Sequence, residues 1–115
     1  MNTAYFYLTD EGGKLAHKLA AAHPGDIYNK ENFKENLRAG FGKYNSLVCI
    51  MATGIVVRIL APLIVHKTSD PAVVVLDQKG KHAISLLSGH LGGANDLSAI
   101  FAQKDIETAT AKLKS

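Results

Sequence analysis

Two unbroken apolar runs, residues 47–52 and 72–76, constrain the fold more than any other feature of the chain. Each has the length of a strand, and neither alternates polar with apolar residues as a strand wetted on one face would. Both are therefore expected in a sheet covered on its two faces. The cover has to come from helices, and the text between the runs supplies them.

Residues 4–8 are aromatic and apolar, and Thr9-Asp10 then offers a cap for a helix with Leu15, Ala16, Leu19 and Ala20 along one stripe. Pro24-Gly25 ends that helix. Residues 26–28 read as a short strand, and residues 31–40 as a second, more polar helix around Phe33 and Leu37. The run 47–52 leads into a buried helix over 54–65, with Pro62 placed to kink or shorten it. Asp70-Pro71 marks a boundary before 72–76. Gln78-Lys79-Gly80 then turns the chain into residues 83–87, so these two strands should pair as an antiparallel hairpin. A last helix is expected from Ala94, with Leu97, Ile100 and Phe101 facing the core. The tail after Lys104 leaves two readings open: a short edge strand at Thr108-Ala109-Thr110, or a frayed helix or disordered end over 111–114. The pattern predicts one α/β domain over residues 1–115, a three-layer sandwich built on a mainly parallel mixed sheet with one antiparallel hairpin.

Composition agrees with a packed domain, since 47% of the 115 residues are hydrophobic and 20% charged. The single Cys49 sits in an apolar run and reads as a small core residue in a reducing compartment. No basic region precedes an apolar stretch at the start of the chain, so no secretory signal is read and the cytoplasm is expected. The net charge of +3 comes from scattered residues, which does not imply nucleic acid. From Ser46 to Val65 Arg58 is the only charged residue, nearly the length of a membrane span. Ala52-Thr53-Gly54 interrupts that stretch like a strand-to-helix turn, and the reading is a strand followed by a buried helix with no membrane contact.

The densest glycine signal, Ser88-Gly89-His90-Leu91-Gly92-Gly93-Ala94-Asn95-Asp96, lies between a strand and a helix. Glycines let a backbone approach a ligand, and first-turn N–H groups suit carboxylates or phosphates. The spacing is neither a dinucleotide fingerprint nor a P-loop, and a tight structural turn explains it as well. His90 is the candidate catalytic residue, able there to act as base, donor or metal ligand, or to be merely structural. The other histidines, His17, His23, His66 and His82, are weaker candidates, and no cluster has zinc-site spacing. A second turn at Met51-Ala52-Thr53-Gly54 has Thr53 as a cap and Arg58 one turn on. Arg58 could meet a ligand carboxylate, snorkel out of an apolar helix, or pair with Asp70 or Asp77. Asp96 suits the helix dipole, Asn95 a ligand or the turn itself, and Thr9 and Asp10 a cap or the same crevice. Because ligands gather at the carboxyl ends of strands in such sheets, both glycine turns are expected to line one depression.

Taken together, Ala52-Thr53-Gly54-Ile55-Val56-Val57-Arg58-Ile59-Leu60-Ala61-Pro62, then Lys67, Asp70-Pro71-Ala72-Val73-Val74-Val75, Gly80 and Leu86-Leu87-Ser88-Gly89-His90-Leu91-Gly92-Gly93-Ala94-Asn95, resemble the amino-terminal domain of the CbiG family. The resemblance implies anaerobic cobalamin biosynthesis: hydrolysis of the lactone of cobalt-precorrin-5A, with release of acetaldehyde. It implies no cofactor of the chain's own, the cobalt being carried within the corrinoid substrate. Thr53, Gly54, Arg58, Ser88, Gly89, Gly92, Gly93 and Asn95 are the expected substrate-binding residues. The partners expected are the cobalt-corrinoid intermediate and a separate carboxyl-terminal domain or other enzymes of the pathway, with no nucleic acid, no membrane, and a homodimer left open. Full-length members continue into a carboxyl-terminal domain that these residues do not include, so the chain reads as a fragment, a split subunit or a degenerate copy. A non-catalytic tetrapyrrole- or partner-binding module is the competing reading, and a mononucleotide binder the third.

Overall fold

The computed structural model describes residues 2–65, 70–88 and 107–110, Ser88 and the last four in backbone only. Its elements in chain order are β1 Thr3–Tyr7, α1 Asp10–Ala22, β2 Asp26–Tyr28, α2 Phe33–Phe41, β3 Ser46–Ile50, α3 Thr53–Leu60, a 3-10 turn Ala61–Leu63, β4 Ala72–Leu76, β5 His82–Ser88 and β6 Glu107–Thr110. The six strands form one sheet in the order β2-β1-β3-β4-β5-β6. The first four are parallel, β5 runs antiparallel to β4, and β6 runs parallel to β5. This is the mixed, mainly parallel sheet with one hairpin that the apolar runs called for. The last helix, expected from Ala94, and residues 111–114 lie outside the described residues.

Side chains alternate across each strand, so the sheet carries two cores. Leu47 and Cys49 of β3 pack with Leu37 and Phe41 of α2 and Val56, Ile59 and Leu60 of α3. Val48 and Ile50 of the same strand face Ala16 and Leu19 of α1 on the other side. β3 and β4 are buried along their whole length, which is why neither alternates in polarity. Each fully buried side chain of the size of Leu37 or Leu47 contributes about 1.5–3 kcal/mol of transfer free energy. At the β4–β5 pairing the register shifts between Val73 and Val74, so Val73 meets Leu87 while Val74 meets Ser85, and Leu86 is the extra, bulged residue.

Boundaries moved where local chemistry outweighed apolar periodicity. The Thr9 hydroxyl caps α1 as expected, accepting from the Gly12 N–H at 3.0 Å. The second helix starts at Phe33 instead of residue 31. Asn29 Oδ1 accepts the Glu31 N–H, and Asn32 turns left-handed at φ 51°, so the chain cannot be helical before it. The third helix stops at Leu60 instead of running to 65. Pro62 has no N–H to give to Arg58, and the chain tightens into a 3-10 turn in which the Ile64 N–H reaches the Ala61 carbonyl at 3.3 Å. In the hairpin, Gly80 takes φ +72° and its N–H closes on the Asp77 carbonyl, a conformation that favours glycine.

Candidate functional site

The connections set where a crevice can form. From β1 the chain passes through α1 to β2 on one side, and from β2 it crosses back through α2 to β3 on the other. The carboxyl ends of β1 and β3 are therefore the point from which neighbouring connections diverge, where open α/β sheets leave a cleft.

Three exits meet at that edge. Thr9, after β1, donates its hydroxyl to Gln78 Oε1 at 2.9 Å, while the same oxygen caps α1. Gln78 follows β4, so this contact ties the β1 exit to the hairpin tip. Met51, leaving β3, donates its N–H to the Leu76 carbonyl at 3.1 Å. The hairpin tip also leans on α1, since a Cβ on Gly80 would lie 3.1 Å from Leu15 Cδ1. Next to β1, the ring of Tyr7 lies over the first turn of α1. A Cβ on Gly13 would come within 2.7 Å of its Cε2, so the glycine at 13 is what admits the ring.

At the β3 exit, Ala52 is the N-cap of α3 and no side chain caps the helix. Thr53 is its first residue, not the cap that its type suggested. Gly54 is exposed, and a Cβ there would meet nothing within 4 Å. The positive end of the helix thus opens beside a space that a ligand's anionic group can enter. Arg58, one turn on, is exposed and forms no ion pair among the described residues, so the pairing with Asp70 or Asp77 is not observed. Asp70 is buried and accepts the Val65 N–H, and Asp77 accepts the Lys81 N–H within the hairpin.

One expectation has to be corrected. Because β5 is antiparallel to β4, Ser88 pairs with Ala72 at the amino end of the parallel strands, whereas Gly54 follows β3, whose last residue pairs with Leu76 at the carboxyl end. Ser88 and Gly54 therefore lie at opposite edges, separated by the length of β4, about 13 Å at the rise of a strand. A single depression shared by Thr53, Gly54 and Ser88 is ruled out by the same hairpin that the turn residues predicted. Gly89, His90, Gly92, Gly93, Asn95 and Asp96 lie outside the described residues, as do His66 and Lys67.

His17 is exposed on α1, and His23 ends that helix with Nε2 3.3 Å from Thr3 Oγ1. Among the described residues no group of three His, Cys, Asp or Glu is placed to hold a metal ion, and no helix is long and apolar enough to cross a membrane. Cys49 is buried, and burial pushes its thiol up to about 12. Sequence reasoning took Gln78 as a turn residue only. Its contact with Thr9 joins positions 69 residues apart and becomes visible once β4 is known to lie two strands from β1.

Residues 35–110 match the family model described as Cobalamin synthesis G N-terminal. The chain belongs to that family. It is 47% identical over 111 residues to the cobalt-precorrin-5A hydrolase of Salmonella typhimurium, an alignment covering 86% of this chain and 32% of the relative. It is 53% identical over 58 residues to the cobalt-precorrin-5A hydrolase of Priestia megaterium, covering 50% of this chain and 16% of that one. The chain thus spans about a third or less of the length of these relatives. The fold also matches the crystal structure of a cobalamin biosynthesis protein G homolog from Sulfolobus solfataricus, with a TM-score of 0.75 and 22% identity, over 99% of this chain and 36% of the other. At that identity the likeness concerns the fold.

Proposed function

We propose that the chain forms the amino-terminal portion of a cobalt-precorrin-5A hydrolase of cobalamin biosynthesis and binds the cobalt-corrinoid intermediate whose lactone that enzyme opens. The observation that carries this reading is the 47% identity to the Salmonella hydrolase across 86% of the chain. The carboxyl edge of the sheet supports it: Thr53 and Gly54 open an uncapped helix end, with the Arg58 cation one turn away, and both features suit the carboxylates of a large macrocycle. The chain acts in the cytoplasm and needs no cofactor of its own, since the cobalt arrives within the substrate.

Opening a lactone requires an activated water, stabilisation of the oxyanion and a proton for the departing alkoxide. His90 is proposed for the proton transfer, and Ser88, Gly89, Gly92, Gly93 and Asn95 for contacts with the substrate. The strand that leads to these residues ends with Ser88 opposite Ala72, at the amino edge of the parallel strands.

A second reading, a non-catalytic binding module, is favoured by the chain's covering 32% of the Salmonella relative. Incubation with cobalt-precorrin-5A and measurement of acetaldehyde separates the two. Release by the chain alone supports hydrolysis, and release only on adding the relative's remaining portion supports the module. A chain that neither binds the corrinoid nor restores release refutes both. For His90→Ala, turnover should fall by about 10²–10⁴-fold with the melting temperature unchanged. A lowered melting temperature with turnover per folded molecule intact would make His90 structural.

A further inference from the structure

Burial in the core accounts for most of the near-membrane stretch noted in the sequence, but not for the outer face of its helix and the turn that follows. Helices at a protein surface turn charged residues outward. α1 does so with Glu11, Lys14, His17 and Lys18, and α2 with Lys34, Glu35 and Arg38, all exposed. α3 and the turn after it do not: their exposed positions are Gly54, Arg58, Ala61, Pro62 and Val65. One charge among five is the pattern of a helix covered on its outer side. The strip does not recede from solvent, because Val65 is 77% exposed. Nor is it a loose end, since the Val65 N–H is held at 3.0 Å by Asp70 Oδ2, a buried carboxylate at the entrance to β4.

The occupant follows from where the strands point. The family model is an amino-terminal one, and the Salmonella relative is about three times as long as the matched segment, so most of its length follows it. β6 pairs in parallel with β5, from His82↔Glu107 to Ser85↔Thr110, and therefore delivers the chain toward the amino edge of the first four strands. Val65 lies at that same edge, because the segment after α3 ends there, at the entrance to β4. β6 is two strands from β4, about 10 Å away at the ordinary strand spacing. β6 thus points toward the edge at which the apolar strip lies.

We propose that Ala61, Pro62 and Val65 form the seat on which the carboxyl-terminal portion of the family polypeptide docks. This rests on family membership as stated above but not on corrinoid binding at Thr53 and Gly54, which lie at the opposite end of α3. The test co-expresses this chain with the part of the Salmonella hydrolase that follows its matched segment, and measures the complex by sedimentation. A complex should form with the unaltered chain and weaken at least about 10-fold with Val65→Asp or Ala61→Glu, as expected for a charge placed in an apolar interface. Lys18→Glu on the opposite face should have no effect. All three variants should keep the melting temperature, since each position is exposed. Absence of a complex, one indifferent to both strip variants, self-association of this chain through the strip, or binding to lipid vesicles instead would each overturn the proposal. Corrinoid titration of the same samples reports on the functional reading separately.

Discussion

Replacing Tyr44 by Phe probes a polar relay that joins three elements. The Tyr44 hydroxyl donates to Asp26 Oδ2 at 2.6 Å and lies 2.6 Å from the Tyr28 hydroxyl. Since Tyr44 spends its single proton on the carboxylate, Tyr28 is the donor in the second bond, and the relay runs from Tyr28 through Tyr44 to Asp26. The Tyr28 ring also stacks on Phe6, with centroids 5.0 Å apart, and Tyr44 is 5% exposed. A hydrogen bond to a charged acceptor contributes about 1.5–3 kcal/mol, and exposure of Asp26 to water puts this one at the lower end. Tyr44→Phe should therefore cost about 2 kcal/mol, Tyr28→Phe about 1, and the pair less than the sum by about 1, because Tyr28 loses its acceptor in either case. For a domain of this size 1 kcal/mol is about 4 °C, so thermal denaturation should show losses of about 8 °C and 4 °C. Burial, and then the bonds to Asp26 and Tyr28, hold the Tyr44 phenol well above its usual range. Ultraviolet titration should find this tyrosine un-ionised until the fold gives way. Tyr44→Phe within about 0.5 kcal/mol of the parent, or strict additivity in the double variant, would refute the relay.

Three further outcomes are expected. Gly13→Ala should lower stability by about 1–3 kcal/mol in denaturant titration, because its Cβ would press on the Tyr7 ring, whereas Gly54→Ala should be neutral or gain up to about 1 kcal/mol. On raising the pH from 9 to 12 the fold should weaken. The buried Cys49 thiol goes from 9.0 in the open chain to about 12 and Tyr5 from 10.0 to about 12, both through burial, so each group stabilises fully below its lower value and ceases to as pH passes the upper one. The Cys49 share is up to about 4 kcal/mol, and Cys49→Ala should flatten the stability profile between pH 9 and 12. Ser85→Ala should be neutral or stabilising by about 1 kcal/mol in the same titration, because the Ser85 hydroxyl is buried without a partner among the described residues.

Much of the fold was legible because its signals are local and strong. The runs around Val48 and Val74 could only be strands covered on both faces, and Thr9, Pro24-Gly25 and Gly80 announced their cap, stop and turn through residue chemistry alone. Helix limits at Phe33 and Leu60 were less legible, since apolar spacing carried past them while Asn32 and Pro62 decided the backbone. The candidate site was legible only in part. Gly54 is exposed with open space around it, yet the depression expected to join it to Ser88 is not formed. The antiparallel β5 reverses the chain, so its carboxyl end lies at the edge opposite to that of β3. Gln78 could not be found at all, because its partner Thr9 is distant in sequence and only strand order brings the two together.

The central claim, that this chain holds a cobalt-corrinoid at the carboxyl edge of its sheet, is tested most directly by calorimetric titration with cobalt-precorrin-5A of the parent chain and of Gly54→Leu. The added side chain projects into open space, so the fold should be unaffected, while the entry beside the helix terminus is filled. The account predicts saturable binding by the parent and at least about a 10-fold loss of affinity in the variant, a difference of about 1.4 kcal/mol, at an unchanged melting temperature. Equal affinity in the two proteins, or no binding by either, would contradict it.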